Sequence, residues 1–428
     1  MKTIKTLTVI ALAAVIAFAF TGCSQDAGDP PAHVHAYSDS WTSNETHHWH
    51  AADCGIPAHN KDLSLHTEDS GTVTKNVELG TDGARIYKCT VCGNERIEPI
   101  TKPKLYEIPV DAETGLPATK SSKYIYFGVF PKTVLPASST VTVNETVSVK
   151  MGADTYYKGS DGEYYAKVME NANQSDFSIN MYSDGTQAKK SDAESYRYFK
   201  VEPIKWKVIT DSYSGKCLLL AEDILTANVP YYKYNSLSNR RTVGSDTGIF
   251  SNNYKYSQIR AYLNGLDYYY DESSTSTVKK NDYTGKGFLQ TAFTDSAQSL
   301  IATTTVDNSA ASTTDSGNNL DKATETACAD TEDKIFLLSI KEATSYGFLA
   351  YDKWDNARIR KATDYAKANY AYHDGPDSVW WGSDWCLRSP CNGGRGARQV
   401  SNSGHTEYGC DSNSSSYGVV PALCLELK

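Results

Sequence analysis

The sequence contains few methionines and little positive charge. Four of its 428 residues are methionine, and 51 acidic side chains outnumber 42 basic ones, giving a net charge of −9. A chain with this balance and no basic patch lacks the electrostatic footprint of a nucleic-acid-binding protein, so we expect no nucleic-acid partner. Beyond the N-terminus, no segment approaches the ~18–20 apolar residues of a membrane span, which excludes a multispanning membrane protein.

Several common catalytic motifs are also missing. The sequence has no HExxH segment, no glycine-rich phosphate loop and no nucleophile elbow. It is instead rich in tyrosine, with 30 residues, a side chain that suits β-rich exported proteins and contact surfaces. We therefore expect a protein that is not an enzyme.

The N-terminus has the pattern of a signal peptide followed by a cysteine. MKTIK supplies positive charge, LTVIALAAVIAFAF is an apolar run, and Thr21-Gly22-Cys23 follows at once. We predict that residues 1–22 are a lipoprotein signal peptide, that Cys23 is lipidated and that residues 23–32 form a tether. Ordinary signal cleavage and a retained anchor are the alternatives. The protein is expected to be exported and anchored by lipid to the membrane, at the cell surface.

Residues 33–101 hold a cluster of histidine and cysteine. Cys89 and Cys92 are spaced as in a zinc knuckle, where two thiolates on a tight turn grip one tetrahedral ion. We predict a small Cys/His-rich β module in which structural zinc replaces a large hydrophobic core and which serves as a spacer. A disulfide without metal and an unordered segment are the alternatives. Two further ligands are expected from an upstream set, namely His50, Cys54, His59 and His66.

The composition changes after Ile100. Residues 102–123 contain three prolines and little periodicity, which predicts a linker before a larger domain at 124–428. Polar composition predicts that Val141–Ala193 and Asp307–Thr331 are insertions outside the core. Short strands and capped short helices together indicate an α+β fold with long loops. The strands are expected at Tyr124–Phe130, Ile204–Thr210, Lys216–Glu222 and Asp333–Ser339, and the helices begin after Ser257 and Ser339 and end at Gly265 and Gly347.

A polar tract, Ser389–Gly418, lies between two apolar anchors, Val379–Pro390 and Gly418–Lys428. Loops longer than about 12–15 residues are usually functional or disordered, and a tract fixed at both ends is expected to be displayed. Its tyrosine, serine, glycine and asparagine are typical of binding loops, where tyrosine gives contact area and the small polar residues give adaptable hydrogen bonds.

Seven ordered motifs carry a resemblance to a known family: VEPIKWKVI, CLLLAEDIL, YSQIRAYLNG, FTDSAQSLI, DKIFLLSIKEATSYG, DWCLRSP and GVVPALCLEL. The series resembles bacterial extracellular C-type-lectin-fold domains of the subtype shared with the formylglycine-generating enzyme. It is most similar to treponemal variable proteins, the targets of diversity-generating retroelements. The resemblance covers Tyr124–Lys428 apart from the insertions. It implies a C-type-lectin-like fold whose C-terminal segment is rewritten at scattered codons while the scaffold stays fixed.

For function, the resemblance implies a surface lipoprotein whose variable loop, residues 380–424, binds a protein or other surface ligand non-covalently. We expect no cofactor in this domain, because the loop lacks the carboxylate and amide cluster of calcium-dependent sugar binding. A structural surface protein without a specific ligand is one alternative. The implied contact positions are Cys391, Asn392, Gly394, Arg395, His405, Tyr408, Cys410, Asn413, Ser415 and Tyr417.

Cys386 and Cys391 carry a second alternative. Their Cys-x-Arg-Ser-x-Cys context matches the copper-binding pair of formylglycine-generating enzymes, which implies a copper-dependent cysteine oxidase. The rest of that active site has no counterpart in the sequence. Disulfides are the other interpretation, because six cysteines lie in this exported domain. Arg388, between the two cysteines, is predicted to form a structural salt bridge or to clamp the loop.

Overall fold

The fold is seen in a computed structural model of the chain. It describes residues 34–75, 82–100, 104–173, 180–190, 196–232, 241–271, 278–314, 327–351, 353–372, 382–391, 394–406 and 409–428. The predicted signal peptide, the tether and Cys23 therefore lie outside the described residues. Within the described part of the chain, no helix is long and apolar enough to cross a membrane.

Strands dominate the structure, with 44% of the chain in strands and 12% in helices, which agrees with the predicted α+β class. The strands are β1 (Tyr37–Ser43), β2 (His47–Ala52), β3 (Lys61–Leu65), β4 (Thr72–Lys75), β5 (Gly83–Lys88), β6 (Glu95–Ile100), β7 (Val110–Asp111), β8 (Tyr124–Val134), β9 (Val143–Met151), β10 (Asp154–Gly159), β11 (Tyr164–Met169), β12 (Tyr196–Tyr213), β13 (Lys216–Ala221), β14 (Asp223–Ile224), β15 (Arg241–Val243), β16 (Asp246–Ile249), β17 (Asp267–Asp271), β18 (Val278–Asp282), β19 (Thr304–Val306), β20 (Thr331–Asp333), β21 (Ile335–Phe336), β22 (Lys361–Ala362), β23 (Trp385–Cys391), β24 (Gly396–Val400), β25 (Gly409–Asp411) and β26 (Ala422–Leu425). The helices are α1 (Gln258–Asn264), α2 (Phe288–Ala292), α3 (Asp295–Leu300), α4 (Ala310–Thr313), α5 (Ile340–Ala343) and α6 (Asp364–Ala368), with 3-10 turns at Pro57–His59 and Asn356–Arg358.

The chain divides into two compact units. The smaller unit comprises Met1–Ser70 and Lys88–Arg96, and the larger comprises Gly71–Tyr87 and Ile97–Lys428. The larger unit therefore also takes in part of the segment 33–101 that was predicted to be one module. The described part of the predicted linker, from residue 104, is folded within the larger unit. Leu105 is buried in a core cluster there, and β7 pairs antiparallel with β8.

The smaller unit has almost no hydrophobic core. β1, β2 and β3 form an antiparallel sheet in that order. Among its described residues, Ala52 and Cys89 are the only buried residues of hydrophobic type, and His48 is buried as well. Leu63 and Leu65 are exposed. The described residues of this unit therefore bury little apolar surface for its size.

A nine-stranded sheet organises the larger unit, in the order β21-β26-β13-β12-β11-β10-β9 with β8 between β12 and β7. β12 spans 18 residues and pairs with β8, β11 and β13 along its length. All residues of β13 after Lys216 are buried, as its continuous apolar run predicts. Gly128 in β8 has a φ of +70°, and a Cβ there would lie 2.5 Å from the Phe293 ring. Only glycine allows this close approach of strand to ring.

The strands predicted at Tyr124–Phe130, Ile204–Thr210 and Lys216–Glu222 are confirmed as parts of β8, β12 and β13. The helix after Ser257 is confirmed as well. The Ser257 hydroxyl caps α1 by accepting from Arg260 N, and Gly265 ends the helix in the left-handed conformation.

One expectation about local structure is wrong, and two are confirmed only in part. Val141–Ala193 is not an insertion, because β9, β10 and β11 extend the main sheet and bury Tyr156 and Tyr164. The strand expected at Asp333–Ser339 ends at Phe336, since Ser339 is already the N-cap of α5. That helix ends at Ala343 instead of running to Gly347. Of Asp307–Thr331, residues 315–326 lie outside the described residues, while Asn308 and Thr313 are buried.

Candidate functional site

Four side chains of the smaller unit converge as a group that could hold one metal ion. The ligand atoms of His48, His66, Cys89 and Cys92 all lie within 4.8 Å of one another. Cys89 Sγ is 3.8 Å from His48 Nδ1, and Cys92 Sγ is 3.5 Å from His66 Nδ1. Tetrahedral zinc, with bonds of about 2.3 Å to sulfur and about 2.05 Å to nitrogen, places sulfur and nitrogen about 3.6 Å apart. The two measured separations match that spacing.

The turn after β5 presents the two thiols. Cys89 N donates to Asn94 O at 2.8 Å, and Gly93 N donates to Cys89 O at 2.9 Å. Gly93 has a φ of +74°, which closes the turn at a conformation that other residues rarely adopt. The knuckle predicted from the Cys89–Cys92 spacing is therefore held by its own backbone.

Neighbouring groups orient the ligands. His66 Nε2 lies 2.8 Å from the carbonyl oxygen of Asn44, so a proton on Nε2 leaves Nδ1 free to bind a metal beside Cys92. The Asn44 carbonyl and the Cys89 side chain raise the pKa of His66. Burial acts to raise the pKa of Cys89, but the backbone N–H groups of Cys92 and Val91, together with His66 and the Thr67 backbone, outweigh it and bring that pKa to about 6. A thiolate, the form that binds zinc, is thus favoured at Cys89 near neutral pH.

The structure joins Cys89 and Cys92 to His66, which was predicted, and to His48, which was not. His50 belongs to neither Cys/His group found among the described residues; its Nδ1 lies 2.7 Å from Ser38 O and its ring centroid 4.0 Å from that of Trp41. His48 and His50 share one face of β2, so strand periodicity does not separate them. A register shift in the pairing of β2 with β3 occurs between these two residues.

Cys54 and His59, also predicted as ligands beside Cys89 and Cys92, lie in a second group with His35. Cys54 Sγ is 3.3 Å from His59 Nδ1. Sequence reasoning missed His35, although its position close before β1 and near other histidines was a signal.

The polar tract Ser389–Gly418 is not a displayed loop. Three short segments of it belong to the antiparallel sheet β23-β24-β25. Asn252 Nδ2 donates to Cys391 O at 3.2 Å and to Gly396 O at 2.7 Å, and Tyr232 N donates to Ser412 O at 2.9 Å. Backbone hydrogen bonds therefore hold a tract that has few apolar side chains.

The ten predicted contact positions fall into different environments. Cys391, Gly394 and Cys410 are buried, and Cys410 is only 1% exposed, so these three are wrong as surface contact positions. Gly394 packs against Phe250, which would lie 2.2 Å from a Cβ added there. Asn392 and Tyr408 lie outside the described residues. Of the others, Arg395 and Asn413 are exposed, and His405, Ser415 and Tyr417 are half-buried.

The cysteines of the tract are free thiols, as are all nine cysteines in the described part of the chain. Cys386 Sγ lies 3.7 Å from Cys410 Sγ, compared with about 2.05 Å in a disulfide. Burial raises the pKa of Cys391 to about 12. Cys391 is therefore a protonated thiol at neutral pH.

An exposed indole adjoins the tract. Trp354 is 52% exposed, and its ring centroid lies 6.2 Å from that of His405. Arg358 is fully buried and fixes the surrounding backbone by donating to Gly404 O at 2.7 Å, Leu349 O at 2.6 Å and Lys353 O at 2.5 Å. We call the pair of rings the Trp354–His405 patch. Sequence reasoning missed Trp354, which lies outside residues 380–424; its place in the polar segment YDKWDN was the available signal.

A family model described as "Domain of unknown function (DUF6273)" matches residues 214–427, half of the 428 residues. The chain belongs to this family. The DUF6273 match begins between β12 and β13 and includes the Trp354–His405 patch and the tract, whereas both Cys/His groups lie outside it. No curated protein and no solved structure matches the chain.

Proposed function

We propose that the protein is an exported surface lipoprotein, anchored through Cys23, whose larger unit has a C-type-lectin-like fold and binds a protein or other surface ligand non-covalently. The observation that carries the proposal is the Trp354–His405 patch. Tryptophan is enriched among the residues that contribute most to protein–protein affinity, and an indole that is half exposed has that contact area available.

The backbone beneath the patch favours binding. Arg358 donates to the carbonyl oxygens of Leu349 and Lys353, which precede Trp354, and to that of Gly404, which precedes His405. A surface that is already ordered loses little conformational entropy when a ligand binds. Tyr346 and Leu349, earlier in the same chain segment, are also exposed.

The resemblance to variable proteins supports a diversified binding surface, and the fold indicates where diversity is tolerated. Arg395 and Asn413 are exposed, and His405 is half-buried, so substitutions there leave the core intact. Leu387 and Val400 are fully buried, and substitutions there remove packing.

Sequencing the 3′ end of the gene from many independent isolates tests this proposal. We expect amino-acid changes to concentrate at Arg395, His405 and Asn413, with Leu387 and Val400 fixed. The codons for the buried strand Lys216–Ala221 give the background rate within the same reads. Equal variation at exposed and buried positions of the tract, or a tract no more variable than β13, would contradict diversification.

For the smaller unit, we propose that structural zinc binds His48, His66, Cys89 and Cys92. The support is the match between the sulfur–nitrogen separations and a tetrahedral ion, combined with the near absence of an apolar core in the described residues. A metal that binds only the folded unit adds its binding free energy to folding. Metal analysis of the purified protein tests the assignment, and we expect Cys92→Ser to lower the bound zinc.

A further inference from the structure

We propose that His35, Cys54 and His59 form a second metal site, which binds a divalent ion of the zinc class through three protein ligands and leaves a fourth position open. The site is separate from the group containing Cys89 and Cys92. The inference does not depend on the proposed ligand-binding function of the larger unit.

The geometry of the three side chains fits one ion. Their ligand atoms all lie within 4.8 Å of one another. Cys54 Sγ is 3.3 Å from His59 Nδ1, close to the about 3.6 Å that separates sulfur and nitrogen around tetrahedral zinc. The rings of His35 and His59 have centroids 4.4 Å apart and planes inclined by 43°, so both rings reach the same point.

The backbone brings these ligands together before any ion binds. Gly55 N donates to Ala52 O at 3.1 Å, and His59 N donates to Ile56 O at 3.0 Å, which folds Cys54 and His59 into one compact turn. Asp53 N donates to Ala36 O at 2.9 Å and so fixes His35, far away in sequence, beside that turn. A site assembled in this way loses little entropy on metal binding.

A neighbouring carboxylate and the exposure of the ligands also favour a metal ion at this site. The Asp53 carboxylate lies 3.7 Å from His35 Nδ1, an ion-pair distance that puts a negative charge beside the site. Among the described residues, the group has three ligand side chains, of which His59 is exposed and His35 and Cys54 are half-buried. Three protein ligands with an accessible fourth position are typical of sites that exchange water or small ligands at the metal. The ion here is therefore exchangeable, whereas the ion beside buried His48 and Cys89 is enclosed.

Cobalt(II) titration of the purified full-length protein under reducing conditions tests the inference, with the metal alone as probe. Thiolate-to-cobalt charge transfer reports how many thiolates each ion contacts. We expect the wild type to bind two equivalents, the first with a two-thiolate spectrum and the second, weaker one with a one-thiolate spectrum. Cys54→Ser should lose the second equivalent and keep the first. His59→Ala should likewise lose the second equivalent and keep the first. Because His59 is exposed, this variant controls for a loss of folding in Cys54→Ser.

Two controls separate this site from the proposed structural zinc. Cys92→Ser should abolish the two-thiolate spectrum, and His50→Ala should retain both equivalents. The second site is disproved if the wild type binds only the two-thiolate equivalent, or if Cys54→Ser and His59→Ala both keep two equivalents. Absence of the two-thiolate spectrum with the one-thiolate equivalent retained would instead disprove the structural zinc site and support the second.

Discussion

The Arg388 guanidinium donates to both carboxylate oxygens of Glu342 in the interior of the DUF6273 domain, with nitrogen–oxygen distances of 2.5 and 2.8 Å. Arg388 belongs to β23 at the start of the polar tract. Glu342 accepts from Ser339 N at 2.8 Å as part of the capping box of α5, and Tyr213 donates its hydroxyl to the same carboxylate at 2.6 Å. The pair ties the tract to a helix, which confirms the predicted structural salt bridge of Arg388.

Removing one partner of this pair should be strongly destabilising. Burial acts to raise the pKa of Glu342, but the Arg388 charge and the hydrogen bonds outweigh it and hold that pKa below its usual value, so the pair is charged at neutral pH. Arg388→Met leaves a buried carboxylate without its cation, and we expect a loss of about 3–5 kcal/mol in the free energy of unfolding. Denaturant unfolding of Arg388→Met and the wild type measures this loss in the free energy of unfolding.

The double variant Arg388→Met with Glu342→Leu is the control for that experiment. It removes both charges, so most of the lost stability should return, because an apolar pair of similar volume often replaces a buried ion pair without loss. A single variant Arg388→Met that unfolds at the wild-type denaturant concentration would show that the pair contributes no stability.

Arg358 should be irreplaceable by lysine. Its guanidinium donates to the carbonyl oxygens of Ala343, Leu349, Lys353 and Gly404, and one ammonium cannot reach four acceptors in this arrangement. We expect Arg358→Lys to cost roughly 2–4 kcal/mol, since buried carbonyls lose their donors. Hydrogen exchange should show faster exchange in residues 344–355 while β13 keeps its protection. Lys361→Arg, which replaces one cation by another at an exposed position, is the matched control. Equal hydrogen exchange of residues 344–355 in both variants would show that Arg358 does not fix this segment.

Elements with apolar periodicity or capping residues could be predicted from the sequence, whereas elements held by tertiary hydrogen bonds could not. β8, β12 and β13 were predictable because their apolar residues form runs or alternate, and α1 was predictable from the cap Ser257 and the stop Gly265. The tract has no such periodicity. Its glycine, serine and alanine residues become buried because neighbours supply hydrogen bonds, as Asn252 does for Cys391 and Gly396. His48 was missed for the same reason, since tertiary packing decides which of two histidines on one face meets Cys89.

Asp154 should make stability depend on pH. It begins β10 after the tight turn from β9, and burial raises its pKa from 3.8 to about 6. Because the folded state binds the proton more tightly, this residue contributes stability that is fully present below about pH 4 and is lost as the pH rises through about 6. Asp154→Asn should therefore be more stable than the wild type at neutral pH, by at most about 3 kcal/mol.

Denaturant unfolding of the two proteins across this pH range checks the sign. The advantage of Asp154→Asn should shrink as the pH falls below about 6 and vanish only below about pH 3, where the wild-type carboxyl is protonated in both states. Glu113→Gln, a neutralisation at an exposed position, is the comparison and should give curves parallel to the wild type. An advantage of Asp154→Asn that is constant with pH would mean that the charge of Asp154 is not its cause.

His48 and His50 lie two residues apart on one strand, yet only His48 faces the thiols of Cys89 and Cys92. His48→Ala should lower the zinc bound at the proposed structural site, and amides of β2 and of the Cys89–Asn94 turn should then exchange faster, because a metal that binds only the folded unit adds its binding free energy to folding. His50→Ala removes the same side chain from the same face but should retain the zinc and the protection. Chelation of the wild type should reproduce the exchange pattern of His48→Ala while leaving β13 of the larger unit protected. If His50→Ala loses zinc and His48→Ala keeps it, the ligand set derived from the fold is wrong and the one expected from the sequence is right.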